Sequence, residues 1–197
     1  MPRQIDPLLT GELLPEADAR RRKVRIATTS LAGCFGCHTS FLDIDERFLT
    51  LLEYVEFDRS PITDIKECHP CDIGIIEGGV CNAENVEVLR DFRKNATILI
   101  ALGACAISGG LPAQRNHFAL RECLDAVYVK GRAKNEQIPD DVELPLLLEQ
   151  VHPIHEVVRV DYSIPGCPPS ADIIWNVVLQ LINGHTPTPP STLIRFD

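Results

Sequence analysis

Four cysteines carry the chemistry most plainly written in this chain: Cys34 and Cys37 in Gly33-Cys34-Phe35-Gly36-Cys37-His38, then Cys105 and Cys167. Each follows an apolar, strand-like run, and glycines stand beside each of them. Four thiolates on three separate turns, the first two as Cys-x-x-Cys, form a ligand set for a [4Fe–4S] cluster or for tetrahedral zinc. Gly33, Gly36, Gly103 and Gly166 permit tight turns whose backbone N–H groups can face sulfur and offset its negative charge. Cys34 and Cys37 by themselves also fit a thioredoxin-like dithiol, with a strand before and a helix after. Thiols at two further strand ends are superfluous to a dithiol enzyme. Structural zinc sites commonly pair two Cys-x-x-Cys halves, and only one such pair stands at these strand ends.

The elements that must position these residues alternate between strand and helix. Lys23 to Ser30, Val55 to Phe57, Asp72 to Glu77, Thr97 to Leu102 and Val157 to Val160 read as strands, three of them as continuous apolar runs typical of buried parallel strands. Helices are expected over Thr39 to Tyr54, Glu84 to Lys94 with Asn82 as cap, Phe118 to Val127, Leu144 to Gln150 and Ala171 to Leu181. This alternation implies an α/β chain of flavodoxin-like, three-layer type with a mainly parallel sheet. In such sheets functional groups gather beyond the carboxyl ends of the strands, where Cys34, Cys37, Cys105 and Cys167 all fall. The expected organisation is an N-terminal extension over 1–22, a cluster-binding domain over 23–184 and a Pro-rich tail over 185–197.

Composition narrows the function classes. The chain has 197 residues, 45% of them apolar, enough for one compact core. A formal net charge of −9 opposes sequence-independent attraction to nucleic acid or anionic membrane. No apolar run reaches the roughly 18 residues of a membrane span. The basic stretch Arg20 to Lys23 leads into a strand rather than an export signal, which implies a cytoplasmic protein. Eight cysteines in a reducing compartment point to metal or redox chemistry rather than structural disulfides.

The remaining polar candidates are less decisive. Glu77 ends a strand at the cluster edge and reads equally as a proton relay or as an acceptor for backbone N–H groups. His38 reads as a hydrogen-bonding neighbour of the ligands, while His117, His152, His155 and His185 read as structural or surface groups. Cys68-His69-Pro70-Cys71 precedes its strand, so these thiols and Cys123 read as structural. Cys81 follows Glu77-Gly78-Gly79 and is expected to line the site without ligating.

With Cys34-x-x-Cys37, Gly103-Ala104-Cys105-Ala106-Ile107-Ser108-Gly109-Gly110 and Pro165-Gly166-Cys167-Pro168-Pro169 in that order, the chain resembles the small subunit of a [NiFe] hydrogenase over roughly 24–184. It also resembles the cluster subunit of respiratory complex I, in which two adjacent cysteines stand where Cys34 and Cys37 are separated. The separation favours hydrogenase. The resemblance implies that Cys34, Cys37, Cys105 and Cys167 hold one proximal [4Fe–4S] cluster facing a nickel–iron site in a separate large subunit. It also implies that Glu77 corresponds to a family glutamate near that interface. Neither the twin-arginine signal nor the C-terminal cluster domain of periplasmic small subunits is expected here. Together with Glu77-Gly78-Gly79-Val80-Cys81-Asn82, this is most similar to the cytoplasmic NAD-reducing class. In that class iron–sulfur and flavin diaphorase subunits of a heteromultimer pass the electrons to NAD. FMN in this subunit is left open, since Cys34 and Cys37 occupy the loop where flavodoxins cradle phosphate. The alternatives are a complex I-like subunit and a thiol-disulfide protein using Cys34 and Cys37.

Overall fold

The computed structural model describes residues 22–131 and 137–194. Nearly all of the expected extension over 1–22, part of the polar excursion after Gly131, and the last three residues lie outside the described residues. Five strands form one parallel sheet: β1 (Val24–Ser30), β2 (Val55–Phe57), β3 (Cys71–Glu77), β5 (Ala96–Leu102) and β7 (Tyr162–Ile164), in the order β2-β1-β3-β5-β7. Counted along this sheet the order is 2-1-3-4-5, the flavodoxin-like doubly wound arrangement. β1, β3 and β5 are buried on both faces over most of their length, which explains why they read as continuous apolar runs.

Helices cover both faces. On one side α1 (Gly36–Leu42), α2 (Arg47–Tyr54) and α6 (Ala171–Ile182) pack Phe41, Leu51 and Trp175 on Ile26, Ile75 and Ile100. On the other, α3 (Ala83–Asn95) and α4 (Gly103–Ser108) place Leu89, Phe92 and Ala106 against Ala27, Ile76, Leu99 and Ala101. Asn82 caps α3, its Oδ1 accepting from Asn85 N at 2.7 Å. Among the described residues no helix is long and apolar enough to cross a membrane.

Several sequence expectations are corrected. The helix expected over Thr39 to Tyr54 is two helices, because Asp45 takes a left-handed conformation (φ 54°) within the acidic run Asp43-Ile44-Asp45-Glu46. Aspartate tolerates that conformation better than most residues, and the bend leaves both Phe41 and Phe48 in one aromatic cluster with Phe57. The helix expected over Leu144 to Gln150 is β6 (Leu147–His152), antiparallel to β4 (Val80–Asn82). Asn116 fixes that ribbon by bonding both the N–H and the carbonyl of Val151, so tertiary pairing overrides the local leaning of Leu, Glu and Gln toward helix. The helix expected over Phe118 to Val127 is α5 (Leu120–Leu124) followed by one wider π turn. The last strand begins at Tyr162 rather than Val157; Val157, Val158 and Val160 pack in a loop against the α3 side.

Asp161 sets where that last strand begins. Its Oδ2 accepts from Leu99 N at 2.8 Å and from Arg93 Nη1 at 2.6 Å. Burial works to raise its pKa, but the bonds from Arg93 and Leu99 outweigh it and hold the carboxyl below the ordinary range. A depressed folded-state pKa adds stability that is complete above the unfolded value, about 4, and fades as pH falls through the folded one. Asp161→Asn is expected to lower neutral-pH stability and flatten the acid limb of denaturation, read by urea unfolding from pH 7 to pH 3.

Candidate metal centre

The in-register pairing of the parallel strands aligns their carboxyl ends. Ser30 pairs with Glu77, Glu77 with Leu102 and Leu102 with Ile164, forming one row across four strands. Cys34 lies four residues past this row, and Cys105 and Cys167 each lie three past it. All four predicted cysteines line one cavity, together with Gly33, Glu77, Gly78 and Gly166. Cys34 and Cys167 are exposed, Cys105 is half-buried and Cys37 is buried, so the cavity opens at the protein surface.

Backbone bonds tie the turns to one another. Ala32 and Gly79 exchange two hydrogen bonds of 2.9 and 2.8 Å, joining the Cys34 turn to the turn after β3. Ala104 N donates to Gly166 O at 2.9 Å, joining the turns of Cys105 and Cys167. Ser40 Oγ in α1 donates to Pro169 O. Gly103 has φ +81°, and a Cβ there would collide with Cys37 Sγ; the close seating of that thiol requires glycine. Phe35, between the first two cysteines, is held at φ 68°, is 42% exposed, and stacks on His38 at 4.8 Å.

Glu77 is nearly inaccessible, at 2% exposure, yet it lines the cavity. Its Oε2 accepts from Cys37 N at 2.9 Å and its Oε1 pairs with His38 Nδ1 at 2.7 Å. His38 Nε2 in turn meets Thr28 Oγ1 at 2.9 Å, and Thr28 Oγ1 meets Ser60 Oγ at 2.7 Å. Burial favours the neutral acid, but His38 first, then the Cys37 thiol and the Ser30 hydroxyl, hold the Glu77 carboxyl below its usual range. The ionised carboxylate only accepts, so the imidazole proton resides on Nδ1. For the Cys37 thiol, burial first and then the charge of Glu77 push the pKa far above its ordinary range. A thiolate at Cys37 therefore needs a cationic partner.

These features fit an iron–sulfur group. The donor set is four thiols, and the wall around them is built of glycine turns. Among the described residues no three His, Cys, Asp or Glu side chains gather closely enough to hold a single metal ion. Four thiols from three separate turns on one cavity wall make a donor set that suits a polynuclear iron–sulfur group.

The other candidates lie elsewhere. Cys81 does not line the cavity; its Sγ donates to Asn85 Oδ1 at 3.4 Å, because the β4–β6 ribbon turns it away. Cys123 is half-buried on α5. Cys68 and Cys71 are buried at the opposite end of β3. Sequence reasoning missed the chain from His38 through Thr28 to Ser60, whose members are ten and thirty-two residues apart. Its only local signal is a histidine directly after a predicted ligand.

Residues 34–181 match the family described as NADH ubiquinone oxidoreductase, 20 Kd subunit. The chain belongs to this family. The NAD-reducing hydrogenase HoxS subunit delta of Cupriavidus necator is 47% identical over 198 residues, covering 98% of this chain and 91% of that protein. A solved NAD+-reducing [NiFe]-hydrogenase in the H2-reduced state contains a chain 60% identical, with a TM-score of 0.88, covering 89% of this chain and 100% of that one. A subunit of the F420-non-reducing hydrogenase of Methanothermobacter marburgensis is 38% identical over 86% of this chain, which spans 57% of that relative. The chain is thus a hydrogenase subunit, with the flavodoxin-like fold of the small subunit.

Thr28→Val keeps shape but leaves His38 Nε2 and Ser60 Oγ short of a buried partner, for an expected loss of about 1–3 kcal/mol in urea unfolding. An unchanged midpoint would show the chain of bonds to be dispensable for stability.

Proposed function

We propose that this chain is the electron-transfer small subunit of a cytoplasmic NAD-reducing [NiFe] hydrogenase. It takes electrons from the nickel–iron site of a large subunit and passes them toward iron–sulfur and flavin diaphorase subunits. The observation that carries this reading is the convergence of Cys34, Cys37, Cys105 and Cys167 on one surface-opening cavity, in a chain closely similar to subunits of NAD-reducing hydrogenases. The four thiolates would hold one [4Fe–4S] cluster, which supplies one-electron transfer without moving heavy atoms far.

This chain's own residues account for the rest of the requirement. The cross-tied turns hold the four sulfurs in fixed relation before any ligand arrives. Gly103 lets Cys37 approach, and the core under the cavity excludes water from one side. The exposed edges at Cys34, Phe35 and Cys167 face outward, where a large subunit would dock.

Glu77 fits a proton-relay role at Oε1. It lines the cavity and heads a hydrogen-bonded chain through His38 and Thr28 to Ser60, which borders a surface hollow with Arg59, Thr63 and Lys66. A complex I-like subunit is the second reading, since the matching family takes its name from that enzyme; the separated Cys34 and Cys37 and the hydrogenase relatives favour the first.

The protein purified anaerobically should contain about four irons and four sulfides per chain; zinc, or no metal, would refute the ligand assignment. Cys105→Ser or Cys167→Ser should reduce hydrogen-dependent NAD reduction by the assembled enzyme to background. Glu77→Gln should slow that reaction while leaving the iron content intact, and unchanged turnover would remove the relay role.

A further inference from the structure

Cys68-His69-Pro70-Cys71 takes no part in the cavity. Cys71 opens β3 and Glu77 closes it, so the two sites lie at opposite ends of one strand, about 20 Å apart at the usual rise per residue. Cys68 and Cys71 are 8% and 5% exposed, and both pack in the core layer that includes Phe92, Ala96 and Leu99. Cys68 Sγ donates to His69 O at 3.8 Å, and each thiol is close enough to shift the other's acidity. The turn that carries them is held from outside by Asp58, whose carboxylate accepts from His69 N at 2.7 Å and pairs with His69 Nδ1 at 2.9 Å.

This arrangement differs from two incidental buried thiols. The two cysteines stand three residues apart on one turn with both side chains buried in the same core layer, so a bond between them needs no long movement of the chain. The turn is clamped on one side by Asp58 and on the other by the pairing of Cys71 with Ala96. Among the described residues no third His, Cys, Asp or Glu completes a metal site there. The thiols also differ in acidity. The neighbouring Cys68 thiol, together with the Ala27 backbone, draws Cys71 below the usual thiol range, while Cys71 and burial push Cys68 above it. Cys71 is thus the nucleophile and Cys68 the thiol that resolves it.

We propose that Cys68 and Cys71 form a reversible dithiol–disulfide couple, a second redox site of this chain, oxidised by a small peroxide and reduced by a small dithiol. The burial of both sulfurs selects an oxidant of few atoms. The Cys71 thiolate attacks one oxygen of hydrogen peroxide; the O–O bond breaks, hydroxide leaves and is protonated, and Cys71 becomes a sulfenic acid. Cys68 sulfur then attacks Cys71 sulfur. The S–S bond forms and water departs with the Cys68 proton. In sum two thiols and one peroxide give one disulfide and two waters, with two electrons passing from sulfur to oxygen. A small dithiol reverses the change by thiol–disulfide exchange, becoming a disulfide itself.

The test uses the assembled enzyme, prepared anaerobically and exposed to an equimolar amount of hydrogen peroxide, quenched in acid, then denatured and alkylated. Trypsin releases Glu67–Arg90, which holds Cys68, Cys71 and Cys81. The expected peptide carries one alkyl group, on Cys81, and has lost two hydrogens; dithiothreitol added before alkylation restores all three alkyl groups. Cys81→Ser should still form the disulfide, and Cys68→Ser should not. Three alkylated cysteines after peroxide would overturn the proposal, as would a disulfide that survives in Cys68→Ser or disappears in Cys81→Ser. The outcome is independent of the cluster assignment, which rests on other cysteines.

Discussion

Everything at the cavity depends on the register of the parallel sheet. Ser30, Glu77, Leu102 and Ile164 stand in one row because four parallel strands pair without a bulge between them. A slip of one residue in any strand would swap which of the two helix layers each of its side chains faces and displace its turn by about 3.3 Å. Cys105 and Cys167 can share a cavity only because the strands before them stop at the same level. Asp161 guards that level at the edge strand by binding Leu99 N and Arg93 just before β7 begins.

The row also explains why a carboxylate sits where water cannot reach it. Glu77 ends the central strand, so its side chain emerges beneath the turns on either side. A buried carboxylate is costly unless its lone pairs are filled, and here Cys37 N and His38 Nδ1 each meet one of its oxygens. The same carboxylate makes an anionic thiolate at Cys37 unfavourable on its own. The site thus concentrates negative charge around a space that a cationic metal group would neutralise. The polar chain continues to Thr28 and Ser60 because each buried group requires its own partner.

Much of this was legible in the sequence, for physical reasons that differ by element. β1, β3 and β5 carry apolar side chains on both faces, so their runs are unmistakable, and the cysteines that follow them fall at the carboxyl edge. Elements held by distant partners were not legible. β6 looks helical by composition and is a strand because Asn116 and β4 fix it; the last strand starts at Tyr162 because Arg93 and Leu99 hold Asp161 just before it. Cys81 seemed to belong to the site by its place after Glu77, and the ribbon carries it away. His38 could be flagged by its place beside Cys37, but Thr28 and Ser60 join it only through the fold. Cys68 and Cys71 read as ordinary buried thiols, and only the fold puts both in one core layer on a turn clamped by Asp58.

The central claim is that four thiolates from three strand ends surround one iron–sulfur cluster. X-ray absorption at the iron edge of the anaerobically purified small subunit tests it most directly. The account predicts iron with sulfur alone as nearest neighbours and other iron atoms in the next shell, as in a [4Fe–4S] cluster. Iron bound by nitrogen or oxygen, or isolated iron without iron neighbours, would contradict it.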